Sequence, residues 1–381
     1  MKQAKFINFT EEQLEFKYQV DRFVKKEIRP FAQQWDEEET CPLEIFKKLG
    51  ELEYLKAGFP ESVDGVGGMV DMLLLIEGLA AGSAGVALAV YVHMGLACAS
   101  LESLGTEEQI EKYLKPALQG KKIGCWAYAE PNAGADVTSV QLGAEEDGDH
   151  YVLNGSKLYI TNGSIADFAV VVARTSDEPG LKGISLFIVE KGQEGFTSNE
   201  MKKLGMRSAK LAELVFKNCK VPKDQILGPL HMGFRSSIKV LSKGRAIASA
   251  FAVGIGMEAL KQTVEHTKIR QQGGGPLAMQ QSIRFTLANM ETRLEASRVM
   301  AYSAADLIDK GKDFDLECSI AKLFATETAT WCCERALHLH GAQGYMMDSD
   351  IQRFYRDCKV LEIGEGTNEI QREMISGALL K

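Results

Sequence analysis

One carboxylate in this sequence sits where chemistry would favour it. Glu365 lies between Gly364 and Gly366, immediately ahead of a helix start at Thr367-Asn-Glu-Ile370. Flanking glycines clear space around a carboxyl group and permit close approach by a reacting molecule, although a solvated loop glutamate needs nothing more than this either. Three further segments could meet such a molecule or its cofactor. Ala129-Glu-Pro-Asn-Ala-Gly-Ala-Asp136 is a small-residue loop whose backbone N–H groups can approach a phosphate or a ring. Asn154-Gly-Ser-Lys-Leu-Tyr-Ile-Thr-Asn-Gly163 reads as a strand with Tyr159 and Thr161 on one face and Ile160 on the other, so that an aromatic and a hydroxyl could hold a planar heterocycle. Arg270-Gln-Gln-Gly-Gly-Gly-Pro276, followed by Gln280 and Gln281, offers a guanidinium fork suited to phosphate. Taken singly, these three read equally well as a connecting turn, a cross-strand packing pair and a flexible helix-to-helix loop. Tyr355-Arg-Asp357 and Lys359 add charge just before Glu365.

Other chemistries find less support. Glu334 and His338 are one helical turn apart, but His340 is out of phase with them, which falls short of a metal site. No serine-hydrolase elbow, HExxH pair or Walker phosphate loop occurs. Gly254-Ile-Gly256-Met-Glu-Ala259 matches the dinucleotide glycine pattern, yet it follows an Ala-rich, helix-like run and no Asp or Glu occurs between His266 and Met290 to bind a ribose. Close helix packing accounts better for these glycines.

The elements that must position such residues follow from pattern. Thr10-x-x-Gln13 and Thr106-x-x-Gln109 are capping boxes, and apolar residues at helical spacing continue from Val20 to about Leu118, disturbed at Pro30. From Ile123 the texture becomes short β-type runs, among them Ala169–Ala173 and Ile184–Val189, with Asn154-Gly155 as a hairpin signal. Helical periodicity returns near Gly228, in runs at Ile247–Met257, Leu294–Leu307, Ile320–Leu339 and Ile370–Leu380. Strands grouped between two helical blocks cannot supply the alternating units of a doubly wound parallel sheet. The 24 residues from Gly78 to Leu101 carry no Asp, Glu, Lys or Arg, enough to span a bilayer, but their glycines, serines and His93 predict a buried protein helix and no membrane insertion.

Composition agrees. The 381 residues are 45% hydrophobic and 25% charged, as in globular chains, and 52 acidic against 44 basic side chains give a net charge of −8 that disfavours nucleic acid and anionic lipid. Eight cysteines without a CxxC predict neither zinc nor a disulfide framework and suit a reducing, cytoplasmic setting. The N-terminal stretch has no apolar core and is not Arg-rich, so no targeting peptide is expected.

Together and in this order, the four segments make the chain resemble the acyl-CoA dehydrogenase family from Phe9 to Leu380. The resemblance implies an α+β architecture: an N-terminal helical domain (1–118), a middle antiparallel β-barrel or sandwich (119–227) and a C-terminal four-helix bundle (228–381). It implies a homotetramer with one FAD per subunit, an acyl-CoA substrate and an electron-transfer flavoprotein as electron acceptor. Glu365 would take the pro-R α-proton while the β-hydrogen leaves as hydride to flavin N5, giving a trans-2-enoyl-CoA. The thioester oxygen would be held by the Glu365 N–H and a ribityl hydroxyl. FAD contacts are implied for Trp126, Tyr128, Ala129, Gly134, Ala135, Tyr159, Ile160, Thr161, Thr367, Asn368 and Glu369. Arg270, Gln281, His338, Leu339, His340, Gly341 and Ala342 would reach the FAD of a neighbouring subunit. Substrate contacts are implied for Tyr91, Met94, Ala135, Ser242, Arg245 and Gly366, with Arg245 available to the substrate phosphates.

Several positions depart from the family pattern. Ala129, Ala135, Tyr159, Ser242 and Gly364 stand where it usually has Thr, Ser, Trp, Asp and Tyr. Loss of hydroxyls at 129 and 135 removes possible flavin contacts, and Gly364 enlarges the space beside the thioester for a branched or bulky acyl group. Some members carry the base just before the arginine corresponding to Arg245; here that residue is Gly244, which leaves Glu365 without a rival. No Lys or Arg occurs from Met72 to Glu111, favouring a neutral acyl chain. A flavin oxidase of the same fold and a helical scaffold that has lost its flavin are the competing readings.

Overall fold

A computed structural model describes residues 6–380, so the part of the targeting-peptide reading that concerns the first five residues lies outside the described residues. The N-terminal helix Glu11–Phe23 opens with the expected box: Gln13 N–H donates to the Thr10 hydroxyl at 3.2 Å and Thr10 N–H to the Gln13 amide oxygen at 3.1 Å. Approaching Pro30, the helix slackens into a π-turn, Val24–Ile28, and a 3-10 turn, Arg29–Phe31, because proline can offer no N–H to the ladder. The charge-free run forms the end of helix Met69–Gly82 and most of a second helical stretch, Ala84–Leu104, separated at the N-cap Ser83. Ala84–Leu104 and Gly233–Ile269 are long and apolar enough to cross a membrane, but 89% and 78% of their most apolar windows are buried inside the protein.

The middle of the chain supplies eight strands: β1 Gly124–Ala127, β2 Gly143–Asp147, β3 His150–Thr161, β4 Phe168–Arg174, β5 Ile184–Glu190, β6 Phe196–Glu200, β7 Leu211–Pro222 and β8 Ile226–Leu227. They run in the order β6-β7-β3-β2-β4-β5-β8, with β1 against β4. The expected strand-rich middle between helical blocks is therefore present, but the sheet is mixed and does not close into a barrel. β1 pairs parallel to β4, and β2 meets β4 in parallel through Gly143 and Arg174 alone. Every residue from Phe168 to Ala173 is buried because β4 has a core on each face. Phe168, Val170 and Val172 join the core shared with the helices, while Ala169, Val171 and Ala173 face a second core with Phe187, Leu214 and Phe216.

The hairpin signal at Asn154-Gly155 is corrected. The β2–β3 turn is at Gly148-Asp149, and Asn154-Gly155 lies inside β3 at a break in register with β7. Gly155 has φ +139°, and the Asn154 side chain accepts the Asn218 N–H at 2.8 Å, so the dipeptide makes a bulge rather than a turn.

The C-terminal helices Gly233–Ile269, Gln281–Asp309, Asp315–His340 and Asn368–Leu379 pack together with the shorter Asp350–Cys358. The apparent dinucleotide motif proves to be helix packing: a Cβ on Gly254 would lie 2.3 Å from the Glu77 carbonyl oxygen, and one on Gly256 would lie 2.4 Å from Leu294 Cδ2. Tyr355-Arg-Asp357 also has a structural task. Arg356 donates to Asp36 at 2.5 Å and to the Leu204 carbonyl at 3.0 Å, and Asp357 accepts the Met206 N–H, so this one turn fastens all three parts of the chain. Burial pushes the Asp357 carboxyl up to about 6, and the nearby Asp36 adds to the rise.

Arg356→Met leaves Asp36 buried without its partner. The expected loss of stability is about 3–5 kcal/mol, read as a large fall in the thermal or denaturant midpoint; a change below about 1 kcal/mol would show that this pair does not hold the domains together.

Candidate functional site

After the turn Lys359–Glu362, the Gly364 N–H donates to the Val360 carbonyl at 2.8 Å and the chain takes two successive left-handed residues, Glu365 at φ +57° and Gly366 at φ +74°. Thr367 then caps the last helix, accepting the Ile370 N–H at 3.3 Å. A left-handed glutamate is disfavoured by about 1–2 kcal/mol, so its surroundings must impose it. Gln371 Nε2 donates to the Glu365 and Gly366 carbonyls at 3.2 and 3.1 Å. Lys322 Nζ donates to the Gly366 carbonyl at 2.8 Å and to Asn368 Oδ1 at 3.0 Å, and the Thr326 hydroxyl reaches the same Asn368 oxygen at 3.1 Å. Lys322 and Gln371 are completely buried. Sequence reasoning found the glutamate and missed both of these supports. The available signal was Lys322 itself, the one charged residue between Glu317 and Glu327.

Glu365 is half-buried, with its carboxyl group turned into the protein. A Cβ on Gly244 would stand 3.0 Å from Glu365 Oε2 and 2.9 Å from the Tyr91 hydroxyl, so the missing side chain leaves the space these two groups use. Tyr91 is buried and donates to the Gly244 carbonyl at 3.2 Å. Burial pushes the Glu365 carboxyl above the usual carboxylate range, while Tyr91, Lys322 and Arg245 pull in the opposite direction. Arg245 donates to the Ser242 hydroxyl at 3.3 Å, and its Nε is buried with no hydrogen-bond partner among the described residues.

Of the expected acyl-pocket residues, Tyr91 reaches the Glu365 carboxyl group and Met94 is wholly inside the core. His93 supplies no cation: its ring nitrogens engage the Gly124 N–H at 3.0 Å and the Ala117 carbonyl at 3.2 Å, and burial lowers it to about 4.

A second group of expected residues forms a rim on the middle sheet. Trp126 lies on β1, and the loop after Tyr128 and Ala129 is held by a buried pair, Lys157 Nζ to Glu130 Oε1 at 2.7 Å. Glu130 also accepts the Gln141 and Leu142 N–H groups at 2.7 and 3.0 Å. This leaves Gly134 and Ala135 exposed, and a Cβ on Gly134 would meet nothing within 4 Å. The Leu158 N–H donates to the Ala129 carbonyl at 2.8 Å, which brings the loop against Tyr159. Burial alternates there, with Ile160 inside, Tyr159 exposed and Thr161 half-buried, but through a register break and a left-handed Tyr159 at φ +60°. That ring is 60% exposed. Asn162 donates to the Ala89 carbonyl at 2.8 Å and so links this rim to the helix that carries Tyr91.

Thr367, Asn368 and Glu369 begin the last helix beside Glu365; Asn368 is buried, and among the described residues its Nδ2 has no hydrogen-bond partner. The remaining expected residues lie elsewhere. Arg270 and Gln281 flank the exposed hairpin of Gln271–Gln272 and Gly275–Pro276. His338, Gly341 and Ala342 are exposed at a helix end, where Leu339 and His340 are half-buried. His340 stacks on His266 at 4.2 Å, in the wall of a groove also lined by Arg29, Glu258 and Asp350. Among the described residues, no hydrogen bond joins this set to Glu365 or to the Tyr159 rim.

Residues 10–121, 125–219 and 231–380 match the models of the acyl-CoA dehydrogenase N-terminal, middle and C-terminal domains. The chain is similar to 3-(aryl)acrylate reductase of Clostridium sporogenes, at 39% identity over 94% of this chain and 96% of the relative. It is 35% identical to caffeyl-CoA reductase-Etf complex subunit CarC of Acetobacterium woodii, over 95% and 98% of the two chains. The solved structure of butyryl-CoA dehydrogenase from Megasphaera elsdenii matches it with TM-score 0.96 at 37% identity, covering 98% of this chain and 100% of that one.

Tyr159→Asn places a residue that tolerates the left-handed region where an exposed aromatic is held in strain. The ligand-free protein is expected to gain about 1 kcal/mol in a denaturant titration; a loss would show that the ring contributes packing.

Proposed function

Because the chain belongs to the acyl-CoA dehydrogenase family, we propose that it dehydrogenates an acyl-CoA thioester between its α and β carbons, with Glu365 as the base. The observation that carries this reading is the Glu365 carboxyl group itself, imposed on a left-handed turn and enclosed by Tyr91, Gly244, Arg245 and Lys322. An α-proton of a thioester is weakly acidic, so the base must be partly desolvated and the developing enolate oxygen must be met by fixed donors. Burial supplies the first condition by raising the carboxyl toward a working pH. The second is assigned to the Glu365 backbone N–H, whose peptide is fixed through the bonds of Gln371 and Lys322 to the following carbonyls. Arg245 is assigned to the substrate's phosphates, and Ser242 orients it.

The rim fits FAD. An exposed, strained aromatic beside an open small-residue loop suits a planar ring, and the Asn368 Nδ2, unpartnered among the described residues, supplies a donor near the base. Trp126, Tyr128, Ala129, Gly134, Ala135, Tyr159, Ile160, Thr161, Thr367, Asn368 and Glu369 would hold it. When bound, FAD supplies the two-electron acceptor that takes the β-hydrogen with its electron pair. Arg270, Gln281, His338, Gly341 and Ala342 are exposed, Leu339 and His340 half-buried, and all lie apart from this rim, which supports their serving the site of a neighbouring subunit in a homotetramer. An electron-transfer flavoprotein as acceptor is supported by the Etf complex to which one relative belongs, and the eight buried, unpaired cysteines suit a cytoplasmic enzyme.

Glu365→Gln is expected to retain FAD, seen by its visible absorbance, and to abolish both turnover and substrate-dependent bleaching; retained turnover would remove the assignment. In the unsubstituted enzyme the active form is the carboxylate, so kcat/KM should fall as pH drops through the raised Glu365 value, above the range of an exposed glutamate. An activity flat down to the pH of ordinary carboxylates would contradict this.

The acyl group is assigned to a neutral, branched or bulky class. A Cβ on Gly364 would find only the Val360 carbonyl oxygen, at 3.5 Å, which leaves room beside the base, and the names of two relatives concern aryl-propenoyl compounds. A dye-coupled panel should show higher kcat/KM for branched or aryl-substituted acyl-CoA than for straight chains. Equal or lower values would count against it.

A further inference from the structure

Among the described residues two lysines are completely buried, and they are buried on different terms. Lys157 faces the Glu130 carboxylate at 2.7 Å, an ordinary compensated pair. Among the described residues, Lys322 has no carboxylate within salt-bridge distance; its ammonium donates instead to the Gly366 carbonyl and Asn368 Oδ1, at 2.8 and 3.0 Å. Burying an ammonium on neutral oxygens is costly, and an apolar side chain in the same helix would avoid that cost. Burial lowers the lysine to about 8, so it remains charged at neutral pH and below. The groups facing it are Glu365, Glu362 and Glu369, which favour its charge, and Arg245, which opposes it.

We propose that Lys322 is a positioning residue for the reaction: through Gly366 and Asn368 it fixes the left-handed turn of Glu365, and its charge supports the ionised base. This inference rests on the dehydrogenation reading given above. Its geometry is specific to the base loop. The two oxygens it holds are the carbonyl of the residue after Glu365 and the side-chain amide oxygen of the first residue of the helix that follows, and Gln371 donates to that same Gly366 carbonyl and to the carbonyl of Glu365 itself. Removing the ammonium frees the turn and takes away one of the two cations that keep the Glu365 carboxyl down, leaving Arg245 and the Tyr91 hydroxyl against desolvation. Lys322 touches no reacting atom, so substrate binding should be little affected, while kcat and kcat/KM fall together.

The test compares the FAD-loaded wild type with K322M, K322Q, K322R and E365Q, measuring kcat and KM across pH and normalising to bound flavin by absorbance. The acidic limb of kcat/KM is expected to move upward by about one pH unit in K322M and K322Q, an approximately tenfold loss below that limb, with KM little changed; K322R should keep the wild-type limb. An unmoved limb in the neutral variants beside an active wild type and a dead E365Q overturns this inference alone. An inactive wild type overturns the dehydrogenation reading and this inference with it. If neither neutral variant folds, Lys322 is a stability residue and the proposal falls.

Discussion

The turn at Glu365 is held against its own conformational preference, and much of the architecture can be understood as the means of holding it. A left-handed glutamate with a desolvated carboxyl group would relax in an isolated loop, moving to an ordinary backbone region and turning its side chain to water. Here each neighbouring element removes one of those escapes. The helix from Ala84 brings the Tyr91 hydroxyl, Gly233–Ile269 brings the empty space at Gly244, Asp315–His340 brings Lys322, and the final helix brings Gln371. The close spacing at Gly244 is two-sided: a methyl group there would compete with both Tyr91 and Glu365 for the same volume.

Such an arrangement needs the three parts of the chain to keep fixed relative positions, and the interdomain contacts are of the kind that do so. The Arg356 fork joins Asp36 of the N-terminal helices to the Leu204 carbonyl of the middle domain. On the opposite side Glu77 accepts from Arg298 at 3.2 Å and Tyr302 at 2.8 Å. Asn162 carries the coupling from the Tyr159 rim to the Tyr91 helix, two residues before the tyrosine. The rim and the Glu365 carboxyl group are therefore built on one connected framework, which the proposed removal of neighbouring hydrogens toward two different groups would require.

Much of this was legible in the sequence, for identifiable reasons. Capping boxes at Thr10 and Thr106, the helical runs and the block of strands are local patterns, and they appear where local chemistry places them. Glu365 stood out because glycines on both sides of a carboxylate before a helix cap are unusual in type and spacing, but the same residues suit a solvated loop, and only the family resemblance gave it the role of base. Lys322, Gln371 and the clamp role of Arg356 were not legible, because their partners are 44, 5 and 320 residues away or are backbone carbonyls with no identity of their own. Asn154-Gly155 misled for a related reason: the same left-handed freedom serves a hairpin turn or a bulge, and only the pairing partner, β7, decides which. The antiparallel barrel likewise failed on long-range pairing, since β1 reaches β4 in parallel.

If Glu365 is the base, the protein places this one carboxylate against the α-carbon of an acyl-CoA. A crystal structure of the FAD-loaded enzyme with a bound acyl-CoA tests this most directly. A Glu365 carboxylate oxygen is expected about 3–3.5 Å from the α-carbon, with the thioester oxygen turned toward the Glu365 backbone N–H. An α-carbon held against a different acidic or basic side chain, with Glu365 directed away from it, would contradict the account.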